Sequence, residues 1–120
     1  MKKSMKEDHA TRVRRLCLAL PEVTEQEAWG SPTFRVRKKM FAMYLNNHHN
    51  DGRIALWVKA PPGAQAQLAA ADPERFFIPP YVGTQGWIGL HLNRSDDATI
   101  VNCLREAYRL VAPKKLLELL

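Results

Sequence analysis

The sequence predicts an α+β domain in which helices pack on an antiparallel sheet of about five strands. Two observations lead to this fold class. Apolar residues recur at helical spacing near both ends of the chain, whereas β-branched and aromatic runs separated by turn residues fill its middle. The length of 120 residues suits one domain whose core needs no disulfide or metal to hold it. We expect a single domain over residues 1–120, with a frayed start at 1–4 and a C-terminal tail at 113–120.

The first helix is predicted to begin at the capping box Ser4 to Glu7, in which a hydroxyl and a carboxylate each accept a hydrogen bond from a free backbone N–H. It runs to about Ala19, and Pro21 closes it. Four apolar residues at helical spacing form its buried stripe: Val13, Leu16, Cys17 and Leu20. Three arginines lie mostly off this stripe, where a solvated face is the simplest interpretation: Arg12, Arg14 and Arg15.

The centre of the chain predicts an antiparallel meander. Its strands are, in order, Val23 to Trp29, Thr33 to Val36, Met40 to Leu45 and Arg53 to Lys59. The break Gly30 to Pro32 separates the first two strands, and a tight basic turn of Arg37 to Lys39 separates the next two. The third and fourth strands are joined by Asn46 to Gly52, whose Asn and Gly residues tolerate positive φ.

The second half of the chain adds two helices and one strand. Ala64 to Ala71 is rich in Ala and Gln and predicts a short, weakly amphipathic helix. Phe76 to Leu92 holds four aromatics, two prolines and three glycines. This composition predicts a bent segment that joins the two halves of the chain. Its end, Gly86 to Leu92, is the last predicted strand. Ser95 is the predicted N-cap of a third helix, which Pro113 ends.

Composition and charge describe an ordinary globular protein with a basic surface. The net charge is +6, with 18 Lys plus Arg against 12 Asp plus Glu, which is compatible with an anionic partner but by its sign alone is weak evidence for one. The longest apolar runs fall far short of a membrane span. A polar helix pattern follows the basic first residues where a secretory peptide needs an apolar segment, so a cytoplasmic location is expected. Cys17 and Cys103 are interpreted as reduced core residues, although a bridge between them stays open.

Residues with catalytic or metal-binding chemistry are few and badly spaced. His48, His49 and Asp51 are interpreted as an exposed hairpin loop, because adjacent loop residues diverge and no further ligand is marked nearby. The run Gly83 to Gly86 precedes a strand, whereas a phosphate-binding loop precedes a helix. No nucleophile elbow or carboxylate pair stands out. We therefore expect no enzymatic activity, no cofactor and no metal site.

The most informative charged feature is a basic cluster in the predicted meander, made of Arg35, Arg37, Lys38 and Lys39. Alternation along a strand predicts that Arg35 and Arg37 share one face, with the two lysines in the turn beside them. A hairpin tip of this kind can lie along phosphates or enter a groove. A solvated turn has the same composition, so both interpretations stay open.

From about Val13 to Leu116 the chain resembles the MmcQ/YjbR family. The resemblance rests on short motifs whose order and spacing match over most of the chain: Leu20 to Val23, Trp29 to Phe34, Phe41-Ala42, Pro79 to Gly83, Gly86 to Ile88 and Ala107 to Val111. It implies a compact α+β fold similar to frataxin-like and secretion-chaperone-like folds. Frataxin-like iron handling is disfavoured, because it would need an acidic ridge and the first helix here is basic.

The resemblance also implies DNA binding, the label commonly given to the family, through two β-hairpin wings. By position the wings would be the turn Arg37 to Lys39 and the loop Asn46 to Gly52 with Arg53. The first wing lacks the glycine that is usual in the family, which makes it more basic and, we expect, less tight. The motifs around Trp29 and Trp87 are interpreted as shape-setting residues.

The leading hypothesis is a cytoplasmic, non-enzymatic protein that contacts the phosphates of double-stranded DNA. The predicted contacts are Arg35, Arg37, Lys38, Lys39 and Arg53, with supporting charge from Arg12, Arg14 and Arg15. The alternative is a protein-interaction or chaperone-like module that uses an exposed apolar sheet face or the leucine-rich tail Leu116 to Leu120. A third hypothesis is a small-ligand pocket beneath Tyr81 and Trp87, with Trp87 itself buried under the sheet. The oligomeric state and any target sequence stay open.

Overall fold

Six strands form one antiparallel sheet in the computed structural model, which describes residues 7–120. The helices are α1 (His9–Leu18), α2 (Ala64–Ala71), α3 (Asp97–Val111) and α4 (Lys114–Leu117). The strands are β1 (Val23–Ala28), β2 (Ser31–Val36), β3 (Lys39–Asn46), β4 (Ile54–Val58), β5 (Phe76–Phe77) and β6 (Ile88–His91). Their order across the sheet is β1-β2-β3-β4-β6-β5. The predicted α+β class and meander are confirmed, with one strand more than the expected five.

The larger core lies between the sheet and helices α1 and α3. Val13 and Cys17 of α1 are fully buried, as the predicted stripe requires. Tyr108 of α3 is also fully buried, and its ring meets the Phe41 ring edge-on at a centroid distance of 5.8 Å. Its hydroxyl donates a hydrogen bond of 2.7 Å to the carbonyl of Pro21, so the polar end of this large side chain is satisfied inside the core.

A register shift in the β2–β3 pair fixes which side chains face this core. Phe34 pairs with Ala42 and Arg35 pairs with Met40, so Phe41 is an extra residue on β3. Both Phe41 and Ala42 are fully buried in the helix-side core. Met40 and Met43 instead pack on the opposite face of the sheet. Plain alternation along the sequence does not predict this irregularity.

The opposite face of the sheet carries a second, smaller apolar cluster. Its buried members are Met43, Leu45, Ala55, Trp57, Phe77 and Trp87. Trp87 is only 3% exposed, as expected for a residue buried under the sheet. The Phe77 ring lies directly over Gly89, where a Cβ atom would stand 2.4 to 2.7 Å from ring carbons. Glycine is therefore required at position 89 for β5 to close against β6.

The N-cap residues of α1 and α3 differ from the two that were predicted. The helix α1 begins at His9, because the side chain of Asp8 accepts a 2.7 Å hydrogen bond from the backbone N–H of Thr11. Ser4, the predicted cap, lies outside the described residues. At α3 the cap is Asp96, whose side chain accepts a 2.9 Å hydrogen bond from the backbone N–H of Thr99. The hydroxyl of the buried Ser95 instead donates to the carbonyl of His91 at 2.8 Å.

The cysteines agree with the prediction, whereas the C-terminal tail and one strand differ from it. Cys17 and Cys103 are both free thiols, as predicted, the first buried and the second partly buried. The tail is not extended, because Pro113 starts the short helix α4 and Leu116 is buried against the main core. β5 was not predicted, since two residues carry no periodic signal. Within residues 7–120 no helix has the length and apolar character needed to cross a membrane.

We predict that stability falls when the solution is acidified from pH 7.5 to 5.5. His91 packs against the Phe77 ring at a centroid distance of 4.7 Å, and its burial, with Arg94 and Arg53 nearby, lowers its pKa. The folded state therefore disfavours the imidazolium, whereas His91 of the unfolded chain takes up a proton near its ordinary pKa of about 6.5. The His91 contribution is complete above that pH and is lost as the pH falls through the lowered folded pKa. Urea denaturation at both pH values measures the effect, and His91→Gln should flatten it.

Candidate functional sites: a basic end and an aromatic pocket

The two predicted wings lie at opposite ends of the sheet. The β2–β3 turn precedes Lys39, the first residue of β3, and the β3–β4 connection follows Asn46, its last residue. Seven steps of about 3.4 Å along the strand separate these ends by roughly 24 Å. The structure therefore does not bring Arg53 together with Lys38.

The β2–β3 turn is a tight two-residue connection. Val36 pairs with Lys39, and the two residues between them both have positive φ, 50° for Arg37 and 71° for Lys38. Type I′ hairpin turns have this pattern and normally use Asn-Gly. The expectation of a less tight turn is wrong, because the pairing of the flanking strands holds two non-glycine residues in the left-handed region. Arg37 thus belongs to the turn, and strand alternation does not relate it to Arg35.

Basic side chains from the turn and from α4 act on one carboxylate, that of Glu22. Arg37 Nε donates to Glu22 Oε1 at 2.7 Å, and this hydrogen bond lowers the pKa of Glu22. The charge of Lys115 in α4 lowers the same pKa further, which places that lysine near the turn. We define the basic end as Arg37, Lys38, Lys39, Lys114 and Lys115. All five are exposed.

The two lysines of α4 were not predicted as part of the site. Their sequence, directly after Pro113, was interpreted as a basic tail. Their position in the fold depends on the burial of Leu116, which is 3% exposed and docks α4 on the core. A polar-apolar pattern this short does not reveal the direction in which a terminal segment folds back.

Two of the predicted contact residues, Arg35 and Arg53, interact with other side chains of the protein. Arg35 is half-buried, and its Nε donates to Thr33 Oγ1 at 3.3 Å. The guanidinium of Arg53 lies 4.0 Å from the centroid of the Phe77 ring, a cation–π contact at the far end of the sheet. Both residues therefore have structural roles in addition to any ligand contact.

The arginines of α1 are balanced by carboxylates. Arg12 pairs with Asp97 at 2.7 Å and also donates to the carbonyls of Leu92 and Ser95, which joins α1 to the start of α3. Arg14 forms a two-pronged pair with Glu25. Arg15 pairs with Glu7 and Asp97. These three arginines are paired with carboxylates and therefore add little net positive charge to a binding surface.

An aromatic pocket of about 480 Å³ opens on the face of the sheet opposite the helices. It is lined by Trp29, Met40, Met43, His48, His49, Trp57, Tyr81 and Val82. Its volume falls within the range of small-molecule sites, and its walls combine large flat rings with polarisable thioethers. The predicted pocket beneath Tyr81 is therefore present, although Trp57 forms its floor in place of Trp87.

Three residues on the rim of this pocket have strained backbones. Trp29, His49 and Tyr81 have φ values of 53°, 51° and 63°, a region that bulky residues rarely occupy. Tyr81 is the centre of a γ-turn in which the N–H of Val82 donates to the carbonyl of Pro80 at 2.7 Å. The Trp29 and Tyr81 side chains are 75% and 67% exposed. Strain of this kind concentrates at binding and catalytic sites.

Two polar atoms of the lining residues are buried without a partner. Among the described residues, neither Trp57 Nε1 nor His48 Nε2 makes a hydrogen bond. The His48 ring stands edge-on to the Trp57 ring at 5.3 Å, so His48 is half-buried where an exposed loop was predicted. Within residues 7–120 no group of three or more metal-ligating side chains gathers.

A second cleft of about 440 Å³ lies among α2, α3 and the sheet. Cys103 and Glu106 of α3 line it, opposite Lys59. Burial raises the pKa of the Cys103 thiol to about 11, so the thiol is protonated at neutral pH. This cleft therefore offers no activated cysteine.

Comparison with known proteins identifies a family whose model matches most of this chain. The model of the YjbR family matches residues 18–110. The fold is similar to the crystal structure of Deinococcus radiodurans protein DR2400, which carries the domain DUF419, with a TM-score of 0.70 and 22% sequence identity. That similarity covers 86% of this chain and 78% of DR2400 and extends to the fold alone. No curated protein matches the chain.

Proposed function

The chain belongs to the YjbR family, and we propose that it binds the backbone of double-stranded DNA through the basic end, without catalysing a reaction. One observation carries the proposal. Lys38 and Lys39 are exposed at a tight hairpin tip, and the charge of Lys115 in α4 acts on Glu22, the carboxylate that Arg37 of the same tip binds, whereas the other predicted arginines have carboxylate, hydroxyl or aromatic partners. Charge that is free of partners within the protein is available to phosphates.

The chemistry of the basic end favours backbone contact over base readout. Lysine ammonium groups act as point charges, and they lack the planar fork with which arginine reads guanine. The one arginine of the basic end, Arg37, is already bonded to Glu22. We therefore expect similar affinity for duplexes of different sequence.

We predict that this affinity depends steeply on salt. Four lysine–phosphate contacts give a slope of about −3.6 in log K against log salt, or a loss of roughly a hundredfold between 50 and 200 mM. Fluorescence anisotropy with two labelled duplexes of unrelated sequence measures both the slope and the sequence preference. No binding at 50 mM salt, or binding that does not change with salt, would contradict the proposal.

A protein-interaction module is the second candidate, and the exposed Trp29 and Tyr81 favour it. The leucine-rich tail favours it less, because Leu116 is buried, Leu117 and Leu120 pack on the core, and Leu119 alone is strongly exposed. Sedimentation analysis separates the candidates in part. A stable self-association abolished by Trp29→Asn would support the interaction module.

A further inference from the structure

We propose that the aromatic pocket binds a small planar nitrogen heterocycle that presents a hydrogen-bond acceptor to Trp57 Nε1. This site is separate from the basic end, since none of the residues that line it belongs to that surface. A test of this proposal therefore gives a result that does not depend on DNA binding.

The shape of the pocket selects a flat, apolar-faced ligand. Trp29, Trp57 and Tyr81 supply aromatic surfaces, and Met40 and Met43 supply thioether groups that contact ring faces and edges favourably. A volume of about 480 Å³ holds a ligand of one or two rings with room for a substituent. Stacking on such walls contributes about 1 to 3 kcal/mol per ring.

The unpartnered atoms specify the polar edge of the ligand. The indole N–H of Trp57 is a donor only, so it needs an acceptor, whereas His48 Nε2 donates or accepts according to its tautomer. A buried donor with no partner costs about 1 to 3 kcal/mol, and a ligand that supplies the acceptor recovers that cost. Because both atoms are covered by their neighbours, side chains that line the pocket must shift for the entering ring to reach them.

The charge of the site disfavours the other ligand that aromatic cages recognise, an alkylated ammonium group. Such cations are held over ring faces by the electrostatic field of the ring. None of the described residues that line this pocket is acidic, and the chain carries a net charge of +6. A neutral heterocycle avoids this electrostatic penalty.

Quinoline and naphthalene test the acceptor directly. The two molecules have the same shape, but only quinoline has a ring nitrogen that accepts a hydrogen bond. In a ¹⁵N-labelled sample the three tryptophans give three indole N–H signals, and the signal missing in Trp57→Phe is assigned to Trp57. We expect quinoline to move that signal downfield in a saturable way and to bind at least about fivefold tighter than naphthalene.

Two variants separate binding from folding. Trp57→Phe keeps an aromatic floor and removes the unpartnered donor, so the advantage of quinoline over naphthalene should disappear. Trp29→Asn creates the Asn-Gly sequence that type I′ turns prefer and removes one wall, so the protein should stay folded and bind both molecules more weakly. Trp29→Tyr keeps a flat ring and should restore binding. Equal affinities for the two molecules in the wild type, or unchanged quinoline binding in both Trp29→Asn and Trp57→Phe, would overturn the proposal.

The same spectra identify the source of the heterocycle. Adenosine and a twelve-residue deoxyadenosine oligonucleotide carry the same base. The first presents it as a free nucleoside, and the second presents it in an unpaired strand. A shift of the Trp57 signal by both at similar affinity supports a free small molecule, and a shift by the oligonucleotide alone supports an unpaired base. Lys38→Gln with Lys39→Gln should leave quinoline binding unchanged, so failure at the basic end is distinguishable from failure here. No shift with quinoline, adenosine or the oligonucleotide overturns the proposal.

Discussion

Replacing Lys38 and Lys39 together by glutamine is expected to weaken binding to duplex DNA by about tenfold or more at 0.1 M salt and to make the salt slope shallower by about 1.8. Each lysine neutralises one phosphate in the proposed complex, and each contact contributes about 0.9 to the slope. The fold should not change, because both side chains are exposed and neither donates a hydrogen bond within the described residues. Anisotropy titrations at four salt concentrations measure the slope.

The matched control is Arg94→Glu. It lowers the net charge by two, as does the double glutamine variant, but it lies after β6 at the end of the sheet opposite the basic end. If binding reflects the basic end, the control should keep most of its affinity and nearly the wild-type slope. Equal losses in the two variants would show that only the total charge matters, and the proposed surface would be wrong.

Most of the fold could be predicted because its signals are local. Apolar spacing in α1 and α3, turn residues between the strands and Pro113 after α3 each act over a few residues. The errors arise where a contact between residues that are distant in sequence determines the local structure. Ser95 resembles a cap in sequence, yet its hydroxyl donates to the carbonyl of His91 and Asp96 caps the helix, and the two-residue strand β5 exists only because β6 pairs with it.

The site was harder to predict, because the charge of a residue says nothing about its partner. Arg12 and Asp97 are 85 positions apart in sequence, and only the packed structure shows that they neutralise each other. The same holds for the pocket. Trp29, His48 and Tyr81 lie in three separate connections, and the sheet brings them together on one face. The positive φ values of Trp29, His49 and Tyr81 have no sequence signal, since each residue occupies a position where glycine or asparagine is usual.

Gly89→Ala is expected to destabilise the protein by about 2 to 3 kcal/mol, a large effect for a single methyl group. The added Cβ would stand 2.4 Å from the nearest carbon of the Phe77 ring. That ring cannot easily move, because it is 9% exposed, with the Arg53 guanidinium over one face and His91 packed against it. Urea denaturation of the variant and the wild type gives the difference in the free energy of unfolding.

A double-mutant cycle and a second glycine identify the cause of that loss. Phe77→Leu removes the ring edge that the methyl group meets, so Gly89→Ala should cost at least about 1 kcal/mol less in that background than in the wild type. Gly83→Ala makes the same chemical change 2.9 Å from Ile78 Cγ2, but Ile78 is 55% exposed and can turn away, so its cost should stay below about 1 kcal/mol. Equal costs at the two glycines, or no coupling with Phe77, would mean that the ring does not require glycine at position 89. A cost confined to position 89, with coupling to Phe77, would establish that the Phe77 ring is the reason glycine is required there.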